Sequence, residues 1–435
     1  MFAVMRHSWA LLLGMFLLML GNGMQATVIG VRGGIEAFPS ATMGFVMAGY
    51  FAGFLGGALV TPWLVQRVGH VRVFAALGSL ISAAFVIFPT VVDPVAWTLM
   101  RFLVGFCYSG VYVVAESWLN DSATNATRGR MLSSYVIVQM LGIIGAQGLI
   151  NVADPAGYDL FIIMSVAVSV SFLPMLLSAG PAPAFSTSRR MSLRELFRAS
   201  PLGCVGAFLL GAVFACQFGM AAVFGSAIGL NTAEISIFIG AIYVGGLVLQ
   251  YPIGWCSDRM DRRRLIAAVT GLGGLGCLVG LVFGGSFEAL LVTAFLLGGT
   301  TNPTYSLIIA HTNDFLAHED MASASGGLIV LNGVGAAGTP ILVGYLMQNL
   351  GAGAFLGFIA LMMALVMAYA LYRVTVRASP DETSRVAPIS MVSGTQVSAE
   401  IAQEVAREVA QEVAREQASR ERAPGERAPG GGNPA

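Results

Sequence analysis

The sequence contains no lysine, and all 23 of its basic residues are arginine. This absence excludes chemistry that depends on a lysine amine, such as a Schiff base or the phosphate-binding lysine of a P-loop. Charged residues of any kind are also scarce: they make up 11% of the 435 residues, against about 25% in a typical soluble domain. Because 56% of the residues are hydrophobic, the composition is that of a protein that crosses the membrane many times.

Cysteine and histidine are few, and their spacing matches no known ligand pattern. The five cysteines lie in or beside apolar runs without a C-x-x-C pair, and the four histidines flank predicted helix ends without forming a cluster. A metal site or a disulfide framework requires ligand-like or paired spacing. No nucleophile and base form a recognisable arrangement either. We therefore expect no metal, no cofactor and no enzymatic activity. Because the net charge is zero, we also expect no nucleic-acid partner.

Apolar runs separated by short polar breaks fill the first 375 residues. A helix needs about 20 apolar residues to cross the bilayer core. Counting the runs in this way predicts an all-α membrane protein with twelve transmembrane helices. On the second of them, Gly49, Gly53 and Gly57 recur every four residues, a spacing that lets neighbouring helices approach closely. The predicted spans are 8–31, 42–65, 71–91, 97–119, 131–151, 158–178, 203–228, 234–255, 264–285, 288–311, 324–347 and 353–375.

The chain repeats itself across its longest internal connection, a proline- and arginine-containing stretch that starts at residue 179. The segment LVQRVGHVRVFAA from Leu64 aligns with CSDRMDRRRLIAA from Cys256 at a constant offset. The dipeptide Asn-Asp also follows both the fourth and the tenth span. Internal repeats of this kind are typical of secondary transporters, whose site lies between the repeats near the membrane midplane. We predict two pseudo-symmetric six-helix bundles, residues 1–180 and 203–377, joined by a cytoplasmic linker at 181–202.

The placement of arginine predicts the orientation of the chain. Cytoplasmic loops carry an excess of basic residues, and this rule places both termini in the cytoplasm. The connection HTNDFLAHED, which has no arginine, is the exception. The tail, residues 378–435, contains the four-residue repeat EIAQEVAREVAQEVARE and is predicted to be a charged low-complexity segment. The cytoplasmic arginines before the tail are Arg6, Arg67, Arg72, Arg128, Arg130, Arg189, Arg190, Arg194, Arg198, Arg259, Arg262, Arg263, Arg264, Arg373 and Arg377; Arg32 and Arg101 fall on the outer side.

The stretch GWCSDRMDRRR, between the eighth and ninth spans, resembles the loop motif G-x-x-x-D-R-x-G-R-R of the major facilitator superfamily, with Asp261 in place of the inner glycine. A degenerate first copy lies between the second and third spans, with Pro62 and Gln66 in place of the glycine and aspartate. The second copy comprises Gly254, Asp258, Arg259, Arg262 and Arg263, and the first retains Arg67, Gly69 and Arg72.

Two further stretches strengthen this resemblance over about residues 5–377. Arg101 and Gly105 in RFLVGF are similar to the family's fourth-helix motif, and the longer runs RFLVGFCYSGVYVVAESWLN and QYPIGWCSDRMDRRR resemble the YcaD-like bacterial branch. The antiporter pattern of the fifth helix is missing, since GIIGAQG has no proline. The resemblance implies the family's two-bundle fold and transport by alternating access. It also implies that the repeated loop helps to close the cytoplasmic side.

The charges of this loop have two interpretations. Arginines at a cytoplasmic helix end can simply contact lipid headgroups and fix topology, which is the interpretation that we favour for Arg262, Arg263 and Arg264. Asp258 opposes that signal, and an acid at this position can instead cap the N-terminus of a neighbouring helix. For Asp258 we favour a role in the cytoplasmic gate.

Ionisable side chains inside a span are costly and mark functional sites. On the fourth span, Arg101, Tyr108, Tyr112 and Glu116 share one helix face, which predicts a cavity wall with Arg101 as a contact for an anion or carboxylate. The alternatives for Arg101 are a structural ion pair and snorkelling to the outer interface. Glu116, close to the inner helix end, is a candidate gate or anchor, or a proton carrier.

Uncharged polar residues on several spans could either hydrogen-bond between helices or line a modestly polar site. The motif TTNPTYS in the tenth span predicts a proline-broken turn whose freed backbone groups face the cargo. The polar candidates for the cavity are Asn22, Gln25, Gln217 and Asn302, and the others are Gln139, Gln147, Gln250 and Asn332.

Together these observations predict a monomeric secondary transporter for a small organic solute, with coupling to protons left open and the lipid bilayer as its surroundings. The competing hypothesis is a sensor of the same fold that does not transport and that signals through the C-terminal tail.

Overall fold

The structure is a computed structural model that describes residues 2–122, 128–176, 191–317 and 320–376. All regular secondary structure in these ranges is helical. The helices are α1 (Phe2–Ile35), α2 (Ser40–Val68), α3 (His70–Ile87), α4 (Pro94–Ser122), α5 (Arg128–Leu149), α6 (Asp159–Ser171), α7 (Leu173–Leu176), α8 (Leu193–Ala199), α9 (Pro201–Ala215), α10 (Ala221–Ala227), α11 (Thr232–Ser257), α12 (Arg262–Phe283), α13 (Phe287–Asn313), α14 (Met321–Ala337), α15 (Thr339–Leu350) and α16 (Ala354–Val376).

Helices occupy each of the twelve predicted spans, and ten stretches are long and apolar enough to cross a membrane. Helices α9 and α10 form one of these stretches, together with the π-helical turn Cys216–Met220 between them, and α14 and α15 form another. At the two remaining positions, α6 has 13 residues and is too short, while the long α13 carries polar residues such as Thr300, Thr301 and Asn302 at its centre. The structure thus supports a multi-pass helical membrane protein with ten candidate spans.

Local sequence explains several of the helix boundaries. Gly69 alone connects α2 to α3, and its φ of 88° lies in the left-handed region that side chains other than glycine rarely adopt. Gly69, the glycine that the first loop retains from the motif, therefore forms a turn of one residue. Helix α11 begins with a capping box, in which Asn231 and Glu234 each accept a hydrogen bond from the backbone N–H of the other.

The predicted proline-broken turn in α13 is wrong, because α13 runs continuously through Pro303. The threonines around the proline bond back to carbonyl oxygens one turn earlier: Thr304 Oγ1 donates to Thr300 O at 2.7 Å, and Thr301 Oγ1 donates to Leu297 O at 2.7 Å. Threonine hydroxyls and local adjustments of this kind let transmembrane helices tolerate proline. The predicted eleventh span is the one that breaks, between α14 and α15 at Gly338.

We use "first half" for the described residues up to 176 and "second half" for those from 191 to 376. The same glycine contacts recur in both halves, about 192 residues apart. In the first half, Gly53 packs on the backbone of Phe102, and Gly105 packs on Tyr50. The second-half equivalents are Gly245 against Phe295 and Gly298 against Ile242, which join α11 to α13 as the first set joins α2 to α4. The repeat seen in the loop sequences therefore extends to helix packing.

A second pair of helices follows the same rule. Gly142 of α5 packs on the Phe16 carbonyl of α1, and Gly335 of α14 packs on the Phe208 carbonyl of α9. These positions are again separated by 192 or 193 residues. The register of α1 and α5 in the first half therefore matches that of α9 and α14 in the second.

We call the end of the molecule that carries Gly69 and the segments 258–261 and 314–317 the arginine-rich end. Contacts between the two halves concentrate at the opposite end. There Gly44 of α2 packs on Pro340 of α15, the Ala41 backbone N–H donates to Gln348 Oε1 at 3.3 Å, and Gly30 of α1 packs on Ala222 of α10. The halves are thus joined most tightly at the end away from the arginines.

Candidate functional site

A cavity of about 190 Å³ lies between the two halves. It is lined by α1, α2, α4 and α5 from the first half and by α9, α10, α11, α13 and α14 with the π-helical turn from the second. Six of the seven predicted cavity residues line it, and aspartate and glutamate are absent from its described lining. The six are Asn22, Gln25, Arg101, Tyr112, Gln217 and Asn302.

Arg101 of α4 is 1% exposed, and its contacts are with uncharged groups. Its Nη1 donates to Gln25 Oε1 at 2.9 Å, its Nη2 lies 3.4 Å from Met47 Sδ, and its guanidinium stands 4.8 Å from the centre of the Tyr50 ring. Its Nε has no hydrogen-bond partner, and among the described residues no carboxylate forms an ion pair with it. The structure therefore supports neither a structural ion pair nor snorkelling for Arg101.

A chain of hydrogen bonds leads from Arg101 along the first half of the cavity. Gln25, which accepts from Arg101, donates through Nε2 to Asn22 Oδ1 at 2.6 Å, and Asn22 donates through Nδ2 to the Tyr112 hydroxyl at 3.0 Å. The Tyr50 hydroxyl also donates to Asn22 Oδ1, at 3.1 Å. These hydrogen bonds fix the side-chain amides of Gln25 and Asn22 so that the Gln25 carbonyl oxygen faces the guanidinium. This contact holds Arg101 in place, but it does not neutralise its charge.

Gln217 occupies the corresponding position in the second half, 192 residues after Gln25. Its side chain is 2% exposed, and neither its Nε2 nor its Oε1 has a hydrogen-bond partner. The position that corresponds to Arg101 by the α2–α4 contacts is Ala294, which cannot bond to an amide. Gln217 also belongs to the π-helical turn Cys216–Met220, a local widening of the helix that is frequent at functional sites.

Aromatic rings form facing walls of the cavity. On the first half these are Tyr50, Phe51 and Phe54 of α2. On the second half Phe214, Phe218 and Tyr243 follow one another as near-parallel rings, with centroids 5.6 Å apart in both pairs and interplanar angles of 14° and 19°. The cavity is therefore apolar and aromatic except for a few amides, hydroxyls and one cation.

Two predicted residues lie outside the cavity lining. Tyr108 is buried, and its hydroxyl donates to the Leu18 carbonyl oxygen of α1 at 3.3 Å. Glu116, 3% exposed, accepts a hydrogen bond from the Tyr135 hydroxyl of α5 at 3.4 Å. A buried Glu116 cannot anchor α4 at the lipid interface, which excludes one of its predicted roles.

Sequence reasoning missed Tyr50 and Met47, which hold Arg101 from α2. The Met47 sulfur and the Tyr50 ring lie about one turn apart on that helix. An aromatic face of α2 could have been predicted from the sequence, which has aromatic residues at Tyr50, Phe51 and Phe54. Gln139 and Asn332, which we predicted only as general polar positions, also line the cavity and correspond to each other in the repeat.

Two arginines of the second loop, Arg262 and Arg263, are buried rather than lipid-facing. Arg262 bonds to Asp314, the C-cap of α13, and donates to Ser257 Oγ at 3.2 Å, and Arg263 forms an ion pair with Asp261 at 2.7 Å. Asp261 also caps α12, accepting from the Arg263 backbone N–H at 2.9 Å. Headgroup contact therefore remains an explanation for the exposed Arg264, but not for Arg262 and Arg263.

Asp258, the residue predicted to cap a neighbouring helix, is exposed at the end of α11. Its neighbour Arg259 is also exposed and stacks on Trp255, 3.9 Å from the ring centre, and Gly254 lies beside them. In the first loop, Arg67 lies 5.3 Å from the Trp63 ring, Arg72 is exposed and Gln66 is also exposed. The side chains of Arg6, Asn120, Asp121, Arg128 and Arg130, and the whole tail, lie outside the described residues.

Comparison with known proteins tests the resemblance seen in the sequence. The family model described as Major Facilitator Superfamily matches residues 203–417, and the model described as Sugar (and other) transporter matches residues 12–189. The first match continues past residue 377, where our sequence resemblance ended. The predicted resemblance to the major facilitator superfamily is confirmed.

Curated relatives carry transporter names. A protein named Uncharacterized MFS-type transporter YcaD from Salmonella arizonae is 26% identical over 343 residues, which cover 78% of this chain and 88% of the relative. A protein named Uncharacterized MFS-type transporter Ent638_1421 from an Enterobacter species shows the same identity and coverage. The predicted resemblance to the YcaD-like branch is confirmed.

Solved structures share the fold at low sequence identity. The nucleoside transporter NupG matches with a TM-score of 0.68 at 15% identity, over 84% of this chain and 99% of that structure. A bacterial homologue of the human lysosomal transporter Spinster, in an inward-facing and unoccupied conformation, matches with a TM-score of 0.65 at 13% identity, over 91% and 96%. These similarities establish a transporter fold.

Proposed function

We propose that the protein is a secondary active transporter of the bacterial inner membrane that moves a small organic solute by alternating access. The observation that carries this proposal is a partly polar cavity between two repeated halves whose mutual contacts concentrate at one end. A site at a repeat interface, open to one side at a time, is the arrangement that alternating access requires. In this proposal α6 with α7, and α13, complete twelve spans in two pseudo-symmetric six-helix bundles, and one chain forms the whole site as a monomer.

The size of the cavity supports a small solute. A cavity of about 190 Å³ has room for many water molecules, and a solute the size of one sugar or one aromatic ring fits such a space. The fucose named for one structural neighbour is a solute of that size.

Coupling to protons is assigned to Glu116 within this proposal. A buried carboxyl binds or releases a proton as its surroundings change, and Glu116 lies on α4, the helix that also carries Arg101 and Tyr112. In the proposed topology the arginine-rich end faces the cytoplasm, with both termini on that side. We infer that the cavity opens toward this end, because the contacts between the halves concentrate at the opposite one.

A cysteine reporter tests alternating access without knowledge of the solute. Leu55→Cys places a thiol in the cavity wall, in a background whose five native cysteines are replaced by alanine or serine. We expect a membrane-impermeant maleimide to label it from either side of the membrane, because each side reaches the cavity during the cycle. Val104→Cys is the matched control, since Val104 is buried outside the cavity lining and should stay unlabelled from both sides. Labelling of Leu55→Cys from a single side only would exclude alternating access.

A further inference from the structure

The chemistry of the cavity identifies the class of solute, an inference that rests on the proposed transport function. We propose that the cavity binds an aromatic carboxylate. Its carboxylate contacts Arg101, its ring lies between the aromatic walls of the two halves, and a hydroxyl or amide group at its far end contacts Gln217.

The charge of the cavity favours an anion. Among the described residues that line the cavity, Arg101 carries a positive charge and none is an aspartate or glutamate. Its partners are Gln25, Met47 and Tyr50, and its Nε makes no hydrogen bond. A buried charge without a counter-ion is costly, and a carboxylate matches the planar fork of a guanidinium. An anionic solute would remove that cost on binding.

Helix packing does not explain Arg101. The α2–α4 contact of Gly53 and Gly105 has an equivalent in the α11–α13 contact of Gly245 and Gly298. At the position of Arg101 the second half has Ala294. Since the same close packing forms around an alanine, the arginine is not needed for that packing, and its retention in a buried position calls for a ligand.

Gln217 supplies an independent indication. Its amide donor and acceptor are both buried without a partner, and a buried amide that makes no hydrogen bond is destabilising. The residue lines the cavity across from Arg101: Gly219, in the same π-helical turn, packs against Met47 and Phe51, and Met47 in turn contacts Arg101. A solute with a hydroxyl or amide opposite its carboxylate can therefore reach both groups.

The walls between these two groups favour a flat ring. Tyr50, Phe51 and Phe54 line the cavity from the first half, and the near-parallel rings of Phe218 and Tyr243 line it from the second. Aromatic pairs gain stability beyond the area that they bury. A saturated ring of similar size would contact the same walls without this gain.

Four small probes test the inference by isothermal titration with the purified full-length protein. The probes are 4-hydroxybenzoate, its neutral analogue 4-hydroxybenzamide, benzoate, and the saturated analogue of benzoate, cyclohexanecarboxylate. Because a hydrogen bond to a charged group is worth roughly a tenfold or greater change in affinity, we expect 4-hydroxybenzoate to bind at least about tenfold more tightly than the amide. We expect cyclohexanecarboxylate to bind about two- to tenfold more weakly than benzoate, since the two acids differ only in the aromaticity of the ring.

Two variants assign the contacts. Arg101→Gln should bring the acid-to-amide ratio close to one, whereas Arg198→Gln, the same change at an exposed position of α8, should leave the ratio unchanged. Gln217→Leu should reduce the affinity for 4-hydroxybenzoate to that for benzoate, without changing that for benzoate.

Several outcomes would overturn the inference. They are an amide that binds as tightly as the acid, a preference for the acid that survives Arg101→Gln, or the absence of measurable binding by either aromatic acid. The comparison of acid with amide on the unmodified protein needs no variant to fold. If the probes do not bind as expected but Leu55→Cys is labelled from both sides, the proposed transport function is retained and only the solute class is wrong. If the probes bind as expected but Leu55→Cys is labelled from one side only, the transport function is contradicted and the binding site is retained.

Discussion

Arg101 is a buried cation whose partners are all uncharged, and this isolation makes stability a test of its role. A residue kept for structure should destabilise the protein when it is replaced, whereas a residue kept for binding is a cost to the fold. Exchanging buried ionic groups for apolar ones of similar volume is often neutral or stabilising.

We therefore expect Arg101→Met to raise the free energy of unfolding by about 1–2 kcal/mol and to remove the binding of aromatic acids. Arg101→Lys should retain part of that binding, because it keeps the charge without the planar fork. Apparent midpoints of thermal unfolding in detergent, with and without 4-hydroxybenzoate, measure both effects. A large drop in the midpoint for Arg101→Met would instead identify the residue as structural.

Asp258 and Asp261 lie three residues apart in the second loop and are predicted to differ in function. Asp261 caps α12 and pairs with Arg263, so Asp261→Ala should lower stability by about 0.5–2 kcal/mol. Asp258 is exposed, so Asp258→Ala should leave the unfolding midpoint unchanged. If Asp258 closes the arginine-rich end in the other state of the cycle, its loss biases the two-state equilibrium.

The measurement for this pair is the rate at which maleimide labels Leu55→Cys from the arginine-rich side. We expect Asp258→Ala to raise it about fivefold, which corresponds to roughly 1 kcal/mol, and Gln66→Asp to offset part of the increase. An unchanged rate would reduce the loop to a topology signal.

The sequence alone could place Arg101 on a polar face of α4, but not beside Gln25. That contact depends on how α1 and α4 are shifted along each other, and the sequence of neither helix predicts this shift. The cap of α12 shows a similar limit. Helix ends are uncertain by about two to four residues from sequence, and a shift of three residues exchanges Asp258 for Asp261. Asp314, the partner of Arg262, lies at the C-cap of α13, 52 residues away in the sequence, beyond the reach of any local pattern.

Close contact between α2 and α4 depends on glycine at a few positions. A methyl group at Gly53 would overlap the carbonyl oxygen of Phe102, whereas one at Gly56, three residues on, would lie 3.8 Å from the Phe106 ring. The same glycine-to-alanine substitution is therefore predicted to destabilise the protein at position 53 and to be neutral at position 56. Comparing the two tests whether the α2–α4 contact depends on glycine.

We expect Gly53→Ala to destabilise the protein by about 1–3 kcal/mol, because overpacking forces the helices apart, and Gly56→Ala to be neutral. Gly245→Ala in α11 should match Gly53→Ala, since it meets the Phe295 carbonyl in the same way. Thermal unfolding midpoints of the three variants provide the measurement. Equal midpoints for Gly53→Ala and Gly56→Ala would show that the α2–α4 contact is loose.

Apolar run length predicted the positions of the long helices well, because bilayer thickness sets a minimum length for each. It failed where packing overrides length and composition. The π-helical turn in the seventh predicted span has no sequence mark, and the break at Gly338 could not be distinguished from the unbroken passage of α13 through Pro303. Both outcomes depend on how neighbouring helices and threonine hydroxyls satisfy the backbone.

At the scale of the whole molecule, the tail distinguishes transport from signalling. Deleting residues 379–435 should leave the unfolding midpoint and the two-sided labelling of Leu55→Cys unchanged, because a low-complexity segment offers no packed core. A family model matches as far as residue 417, so a second deletion that starts at residue 418 serves as the control. A truncated protein that inserts in the membrane and folds, but whose reporter is labelled from one side only, would favour the sensor.

The last prediction concerns the contact that joins the halves. At the end opposite the arginines, Ala41 of α2 donates to Gln348 of α15, and rocking of one half against the other must separate these helices. Cross-linking Ala41→Cys to Gln348→Cys should therefore hold the protein in the present state. We expect the Leu55→Cys reporter to be labelled then only from the arginine-rich side, and reduction of the cross-link to restore labelling from both.

The matched control is a cross-link within one half. Ser82 of α3 and Ser165 of α6 have hydroxyl oxygens 2.7 Å apart, and both helices belong to the first half. If the halves move as rigid bodies, cross-linking Ser82→Cys to Ser165→Cys leaves the distance between them free to change, and labelling from both sides should persist. Loss of two-sided labelling in this control would mean that the first half deforms during the cycle. Two-sided labelling in the Ala41–Gln348 cross-linked protein would mean that the cavity opens without separation of α2 from α15.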